Sequence, residues 1–391
     1  MDADTPRDLF GCFDDLPDPR IERTRLHRLD DMIAIAILAV ICGAEGWTDV
    51  ADFGNDKSDW LKTFLHLPHG IPSHDTFGRV FAKLDPEAFE RCFLTWVQGL
   101  IQVTGQQALH IDGKTLRRSF DTASSTAAVH LVSVWASKSE LALAQVTTDL
   151  QGQKSNEITA IPRLLELVSL HGAIVTIDAI GCQTKIARLI IDDGGDYILA
   201  VKDNQPTLHE DIKLLFDEAI PQQFEHMGYD YGEQVEKGHG RIETRRVWVT
   251  RDVDWLRERG LWVGLRGVIC VESVRQVLDP AGGPAAVTTQ RRYYITSLDH
   301  RKRGQDAAFF ANLVRAHWSI ENQLHWSLDV TFAEDDCRVR QGHGAENLAR
   351  LRRIALNLLK QEKSSKRGLA GKRLRAGWNQ DYLLKVLGLT N

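Results

Sequence analysis

The 391-residue sequence predicts an α/β core preceded by a small all-helical domain and followed by a basic helical tail. Three observations carry this expectation. Apolar residues from Leu26 to about Leu100 recur at helical spacing; at Ala108 the pattern switches to short strand-like runs; from Ala173 strands and helices alternate. A chain of this length exceeds one ordinary core, so two to three domains are expected.

In the helical part, the breaks carry helix-start signals: Thr48 before DVADF, Ser58 before DWLKTF, Ser73 before HDTFGRVF and Asp85-Pro86 before EAFERCF. The short helices around Pro72 are compatible with a helix-turn-helix that brings Phe77 and Arg79 near DNA, although compact helical domains without a ligand share this look. Met32 to Ala44 is the longest apolar run, and its 13 residues fall short of the roughly 20 that a membrane-spanning helix needs. It reads as a buried core helix, with no membrane partner. The acidic start MDADTPRDLF lacks the basic and apolar regions of an export signal. Six widely spaced cysteines form no C-x-x-C pair, as expected of reduced thiols in a cytoplasmic protein.

ALHID, HLVSVWAS and LALAQVTT read as three consecutive antiparallel strands, followed by a helix from about Glu157 to Leu170. AIVTIDAI, a helix through KIARLII, the strand DYILAVK and a helix from Thr207 to Phe216 then imply a parallel portion of the sheet. This order is that of a ribonuclease H-like fold, an analogy that by itself does not establish chemistry. Between about 221 and 300 the helical period is lost. RIETRRVWVT, WVGLRGVICVESVRQVL and RRYYITSL read as strands of a β-rich insertion around the loop DPAGGPAA. From Asp306, the spacing Phe310, Leu313, Val314, His317, Ile320, Leu324, Leu328 marks one helix with a single apolar stripe. The expected domains are 1–105 (helical), 106–360 (catalytic, with the insertion) and 361–391 (basic tail).

Two carboxylates stand where a buried strand gives way to a loop: Asp112 after LHI and Asp178 after AIVTI. Strand ends facing a crevice are the usual address of a site in an open α/β sheet. Neighbouring acids repel unless protonated or neutralised, and divalent cations neutralise them. Mg²⁺ takes few protein carboxylates and leaves positions for water and phosphate oxygens. Two such ions about 3.5 to 4 Å apart activate an attacking water or 3′-hydroxyl and stabilise the leaving oxygen. Glu321 is the third candidate, expected to face inward beside the apolar stripe with His317 and His325 one turn to either side. Asp329, Glu334, Asp335 and Asp336 compete with it. The bland alternative for either aspartate is a turn or cap residue.

At these residues the sequence resembles the DDE transposases of bacterial insertion sequences, most of all the group that includes the H-repeat-associated proteins near Rhs elements. The resemblance covers nearly the whole chain. It rests on HIDGKTLR at Asp112, VTIDAIGCQ at Asp178, YILAVKDNQPTL around Lys202, HGRIETR at His239 and HWSIENQLHWSLDVTFAEDDCR around Glu321, together with the N-terminal DPRIERTRLHRLDDM and GAEGWTDVADFG. It implies a ribonuclease H-like core interrupted by a β-rich insertion, and a metal-binding catalytic triad of Asp112, Asp178 and Glu321 served by Mg²⁺, with Mn²⁺ as a substitute. The implied partners are double-stranded DNA (terminal inverted repeats and target) and a second copy of the chain when two ends are synapsed. The chain departs from the wider group's Y-x2-R-x3-E-x6-K pattern, having Val314, His317 and Leu328 at those positions.

Further DNA contacts have weaker support. Lys202 and Asn204 follow a strand expected beside the site, against the alternative of a helix entry. In HGRIETR, alternation puts His239, Arg241, Glu243 and Arg245 on one strand face, a polar surface for DNA or a solvated edge. His317 and His325 are candidates for phosphate contact. Trp318 and Trp326 read as core residues in preference to base-stacking platforms. Although the net charge is -5, the segment Arg338 to Arg375 carries +10, which suits a phosphate backbone. The alternative for part of it is a helix whose other face, Leu348, Leu351, Ile354, Leu358 and Leu359, is buried. The leading expectation is a transposase that cleaves element ends and transfers the 3′-hydroxyl. The alternatives are an inactive or domesticated DNA-binding relic and a structure-specific nuclease without strand joining.

Overall fold

The computed structural model describes residues 9–100, 107–120, 127–148, 156–238, 240–277, 286–299, 301–302 and 304–389. In chain order the elements are α1 (Leu29–Cys42), α2 (Trp47–Asp56), α3 (Ser58–Leu61), α4 (His74–Lys83), α5 (Pro86–Leu100), β1 (Ala108–Thr115), β2 (His130–Ala136), β3 (Leu141–Thr147), α6 (Glu157–Leu165), β4 (Ile174–Ile177) and α7 (Thr184–Asp192). They continue with β5 (Asp196–Val201), α8 (Pro206–Ala219), β6 (Tyr229–Gly238), β7 (Arg241–Thr250), β8 (Gly267–Val277), β9 (Ala286–Thr296), α9 (Ala307–His317), α10 (Trp326–Phe332), α11 (Gly344–Gln361), α12 (Leu369–Trp378) and α13 (Gln380–Val386). The fold is mixed α/β. The chain divides into two compact units: Met1–Thr104 with Gly113–Asn156 and Glu321–Asn391, and Gly105–Asp112 with Glu157–Ile320.

In the first unit, α1 is buried all round, every residue from Met32 to Ile41 being 2% exposed or less. That is the burial expected of an apolar helix without a polar face, and α11, α12 and α2 supply its surroundings. Among the described residues no single helix is long and apolar enough to cross a membrane. The caps follow the sequence unevenly. Ser73 caps α4 by accepting from the Thr76 amide, and Asp85 accepts from the Glu87 amide at the start of α5. At α2 the expected cap Thr48 lies inside the helix. Gly46 precedes it, and the Asp49 carboxylate accepts from the Glu45 and Gly46 amides, satisfying donors that a helix start leaves unpaired. Phe77 is fully buried, so the core claims it and DNA contact through its ring is overturned; Arg79 is exposed.

Strands β2 and β3 pair antiparallel with a bulge at Val134/Trp135. Helix α11 meets β3 through Asn357, fully buried, whose amide donates to the Ala142 carbonyl at 2.8 Å and accepts from the Ala142 amide at 2.9 Å. The side chain thus stands in for a neighbouring strand.

In the second unit the strand order is β1-β4-β5-β9-β8-β7-β6. β1, β4 and β5 are parallel; β9, β8, β7 and β6 continue antiparallel. Its core gathers Ile174 and Ile198 with Val247, Val249, Ile269 and Val271, covered by Phe310, Leu313 and Val314 of α9. The β-rich stretch is therefore present, with two differences. β6 is an additional strand whose sequence YDYGEQVEKG reads as polar, because it stands at the sheet edge and alternates exposed with half-buried residues. WVGLR precedes β8 as a turn and does not extend it, and DPAGGPAA falls largely outside the described residues.

Candidate active site

The parallel pairing of β1 with β4 matches His110 to Thr176 and Ile111 to Ile177. Asp112 and Asp178 follow one residue beyond that last registered pair. Adjacent strands lie about 4.8 Å apart, so two half-buried carboxylates stand side by side where the β1–β4 pairing stops. Asp178 follows the last residue of β4, but β1 runs on to Thr115, which overturns the placement of Asp112 at a strand end. The loop after β4 is built around Asp178. Its Oδ1 accepts from the Ile180 amide at 3.0 Å. A Cβ on Gly181 would sit 2.2 Å from the Ile177 side chain, so a glycine is required for the chain to turn back this closely. Burial raises the Asp178 pKa above the ordinary carboxylate range, and the negative charge of Glu157 on α6 adds to it. The Gly181 and Ile180 amides and the Lys202 ammonium pull the other way.

Lys202, exposed at the end of β5, thus lies within electrostatic reach of Asp178. Asn204 is committed within the protein: its amide donates to the Ala179 carbonyl at 2.6 Å.

Beneath the aspartates is a feature that the sequence reading missed. His110 Nδ1 and Thr176 Oγ1 are hydrogen-bonded at 2.6 Å, and the same oxygen meets His317 Nδ1 at 2.9 Å. The imidazoles lie edge to face with centroids 6.0 Å apart. Burial, with the neighbouring imidazole, pushes His110 down to about 3, and burial pushes His317 down to about 4. Both are neutral near pH 7, so His317 offers no positive charge to a phosphate. The signal in the sequence was a histidine within an apolar strand, two residues before the aspartate.

The expected straight helix from Asp306 is interrupted. A turn at Trp318 ends α9, and Ile320–His325 forms a π-helical turn leading into α10. Ile320, Leu324 and Leu328 are buried, whereas Glu321 is exposed and does not face inward as the stripe predicted. π-turns store irregular geometry and recur at functional sites. Trp318 and Trp326 are 40% and 58% exposed, which overturns their reading as core; Arg292 lies over the Trp318 ring at 5.0 Å. His325 is buried, and burial, together with the charges of Arg353 and Lys114, pushes it down to about 3.

The carboxylates competing with Glu321 are ion-paired. Buried Lys114 meets Asp329 at 2.6 Å, Glu334 at 3.0 Å and Asp335 at 3.1 Å. Arg353 adds a pair to Glu334 at 3.2 Å, and Arg118 meets Asp336 at 3.3 Å. Among the described residues Glu321 takes part in no ion pair. Nor do any three His, Cys, Asp or Glu residues among them gather into a metal cage. The Asp112–Asp178 pair is, in donor chemistry, what Mg²⁺ accepts when water and phosphate oxygens complete its shell.

Arg241, Glu243 and Arg245 do share a face of β7, but as a ladder: Glu243 meets Arg241 at 2.6 Å and Arg245 at 2.5 Å, and Arg245 reaches Glu236 at 3.1 Å. His239 lies outside the described residues. The basic segment is largely internal as well. Arg350, Arg352, Arg353, Lys372 and Arg373 are buried; Arg350 pairs with Glu90 and Glu346, and Lys372 donates to the Leu359 carbonyl. Arg338, Lys363, Lys366 and Arg367 remain exposed.

Comparison with known proteins fits these features. The family described as Transposase DDE domain matches residues 103–358, and the one described as DDE_Tnp_1-associated matches residues 10–97. The H repeat-associated putative transposase YhhI of Escherichia coli strain K12 is 39% identical over 95% of this chain and 95% of its own. The putative transposase YncI of Escherichia coli O157:H7 is also 39% identical, over 95% of this chain and 92% of its own. A solved structure, the piggyBac transposase synaptic complex with hairpin DNA, aligns with 94% of this chain and 75% of that one at 10% identity and a TM-score of 0.42, too distant to inform the fold. On the family matches and the relatives that span almost its full length, the chain belongs to the DDE transposase family.

Proposed function

We propose that this protein binds the ends of a mobile element, cleaves phosphodiester bonds there and transfers the freed 3′-hydroxyl to target DNA. The observation that carries the reading is the register of β1 with β4, which sets Asp112 beside Asp178. Like charges at that spacing repel, and burial together with the charge of Glu157 already raises the Asp178 pKa. Asp112 and Asp178 would hold Mg²⁺, which when bound supplies charge neutralisation and an acidified nucleophile, and Glu321 is the third ligand that the family resemblance implies. Glu321 is preferred as the third member because Asp329, Glu334, Asp335 and Asp336 already serve Lys114, Arg353 and Arg118.

The remaining residues of the site orient and attract. The Ile180 amide fixes the Asp178 carboxylate, and Lys202 contributes positive charge for an incoming phosphate. The parallel β1-β4-β5 arrangement and the antiparallel β2-β3 pair are in keeping with a ribonuclease H-like core. Double-stranded DNA and a second protomer at synapsis are the partners on this reading, with 1–105 as the accessory helical domain.

The test uses duplexes carrying the element's terminal inverted repeats, with Mg²⁺. Asp112→Asn should abolish cleavage while leaving DNA affinity within about twofold, because it removes a charge without changing shape. Cleavage at the wild-type rate by Asp112→Asn would remove the assignment, and absence of joined products with the wild-type protein would reduce it to a nuclease.

A further inference from the structure

We infer that Thr176, held between His110 and His317, is a positioning residue that fixes the aspartate pair from the row of side chains below it; this rests on the assignment of Asp112 and Asp178 as the catalytic pair. Successive side chains of a strand alternate faces, so residues two apart share one. His110 therefore shares its face with Asp112, and Thr176 shares its face with Asp178. The bridge between His110 and Thr176 repeats across β1 and β4, about 7 Å lower, the side-by-side placement of the two carboxylates. His317 brings α9 to the same hydroxyl.

One hydroxyl carries one proton and two acceptor lone pairs, so at most one of the two Nδ1 atoms accepts the O–H and at least one donates N–H to the oxygen. Thr176 thereby orients both rings and ties three elements at one atom. His110 is fully buried, and its Nε2 has no hydrogen-bond partner among the described residues. A polar atom left unpaired in a core is a cost that ordinary packing would remove, since an apolar residue of similar shape would fill the same space. Its retention two residues from Asp112 points to a role beyond packing. The role assigned is to hold the spacing and rotation of β1 against β4, on which the carboxylate pair depends. Displacements of about 1 Å at a reacting centre cost up to roughly a hundredfold in rate.

Thr176→Val keeps the shape and removes the hydroxyl, whereas Thr176→Ser keeps the hydroxyl. Purified full-length variants are compared for cleavage of inverted-repeat duplex, for affinity for the same duplex in EDTA, and for Mn²⁺ binding by titration calorimetry without DNA. The expected result is that Thr176→Val loses about ten- to a hundredfold in kcat and binds Mn²⁺ more weakly, with DNA affinity unchanged, and that Thr176→Ser recovers both. Wild-type kcat and Mn²⁺ binding in Thr176→Val would overturn the inference, as would equal impairment of Val and Ser variants, which would assign the effect to the methyl group. Should Thr176→Val fail to fold, His317→Gln decides, since it breaks one bond of the bridge from the end of α9: reduced kcat supports the inference and wild-type kcat overturns it. The two readings separate cleanly. Asp112→Asn that still cleaves defeats the assignment of the site, whereas an inactive Asp112→Asn beside a fully active Thr176→Val defeats only the positioning role.

Discussion

Replacing Lys114 by methionine removes the one ammonium that meets Asp329, Glu334 and Asp335 together, while keeping a side chain of similar length. Glu334 is fully buried, and burial alone would raise its pKa; Arg353 and Lys114 outweigh that and hold it at about 2, against an ordinary 4.5. A gap of that size corresponds to about 3 kcal/mol of stability at neutral pH, shared among Arg353, Lys114 and the more weakly acting Arg352. Removing one partner of a buried pair typically costs about 3 to 5 kcal/mol. Because Arg353 remains, the lower end is expected: about 3 kcal/mol at pH 7. A depressed carboxylate pKa contributes stability that is fully present above the unfolded value and is lost as pH falls through the folded one. The penalty of Lys114→Met should therefore be full at pH 7 and shrink as pH falls from 4.5 towards 2. Urea unfolding followed by circular dichroism at pH 7, 5 and 3 measures it. An unchanged midpoint at pH 7, or a penalty as large at pH 3 as at pH 7, would refute the argument that the buried charges carry the effect.

Two other outcomes follow from the same structure. Asn357→Leu leaves the amide and carbonyl of Ala142 without the partner that completes the β3 edge, and should destabilise the protein by about 2 to 6 kcal/mol, at about 1 to 3 for each unsatisfied group; denaturant titration checks this, and a shift below measurement error would show that the groups find other partners. Among the twelve basic residues of Arg338 to Arg375, only the exposed ones are available to phosphates. The triple change of Arg338, Lys366 and Arg367 to alanine should lower the slope of log affinity against log salt by up to about 3, at about 0.9 for each lost phosphate contact, as read by fluorescence anisotropy; an unchanged slope would place the DNA path elsewhere.

The sequence by itself determined most of the element order, the buried helix at Met32 to Ala44, the strand-end position of Asp178 and the family, because apolar periodicity and local motifs are properties of neighbouring residues; Asp112 lies inside β1, which runs on to Thr115. It left open what depends on residues far apart in the chain. Twelve cations within 38 residues looked like a DNA-facing surface, but Arg350, Arg352 and Arg353 are buried, Arg350 beside Glu90 and Arg353 beside Glu334. Charge counting does not see a carboxylate contributed by another helix. Glu321 was expected to face inward beside the apolar stripe; the stripe residues Ile320, Leu324 and Leu328 are buried, but Glu321, in the π-turn over Ile320–His325, is exposed. The partnership of His110, Thr176 and His317 was invisible for the same reason. Up to 207 positions separate its members, and only the parallel register of β1 with β4 and the packing of α9 bring one hydroxyl within reach of both rings.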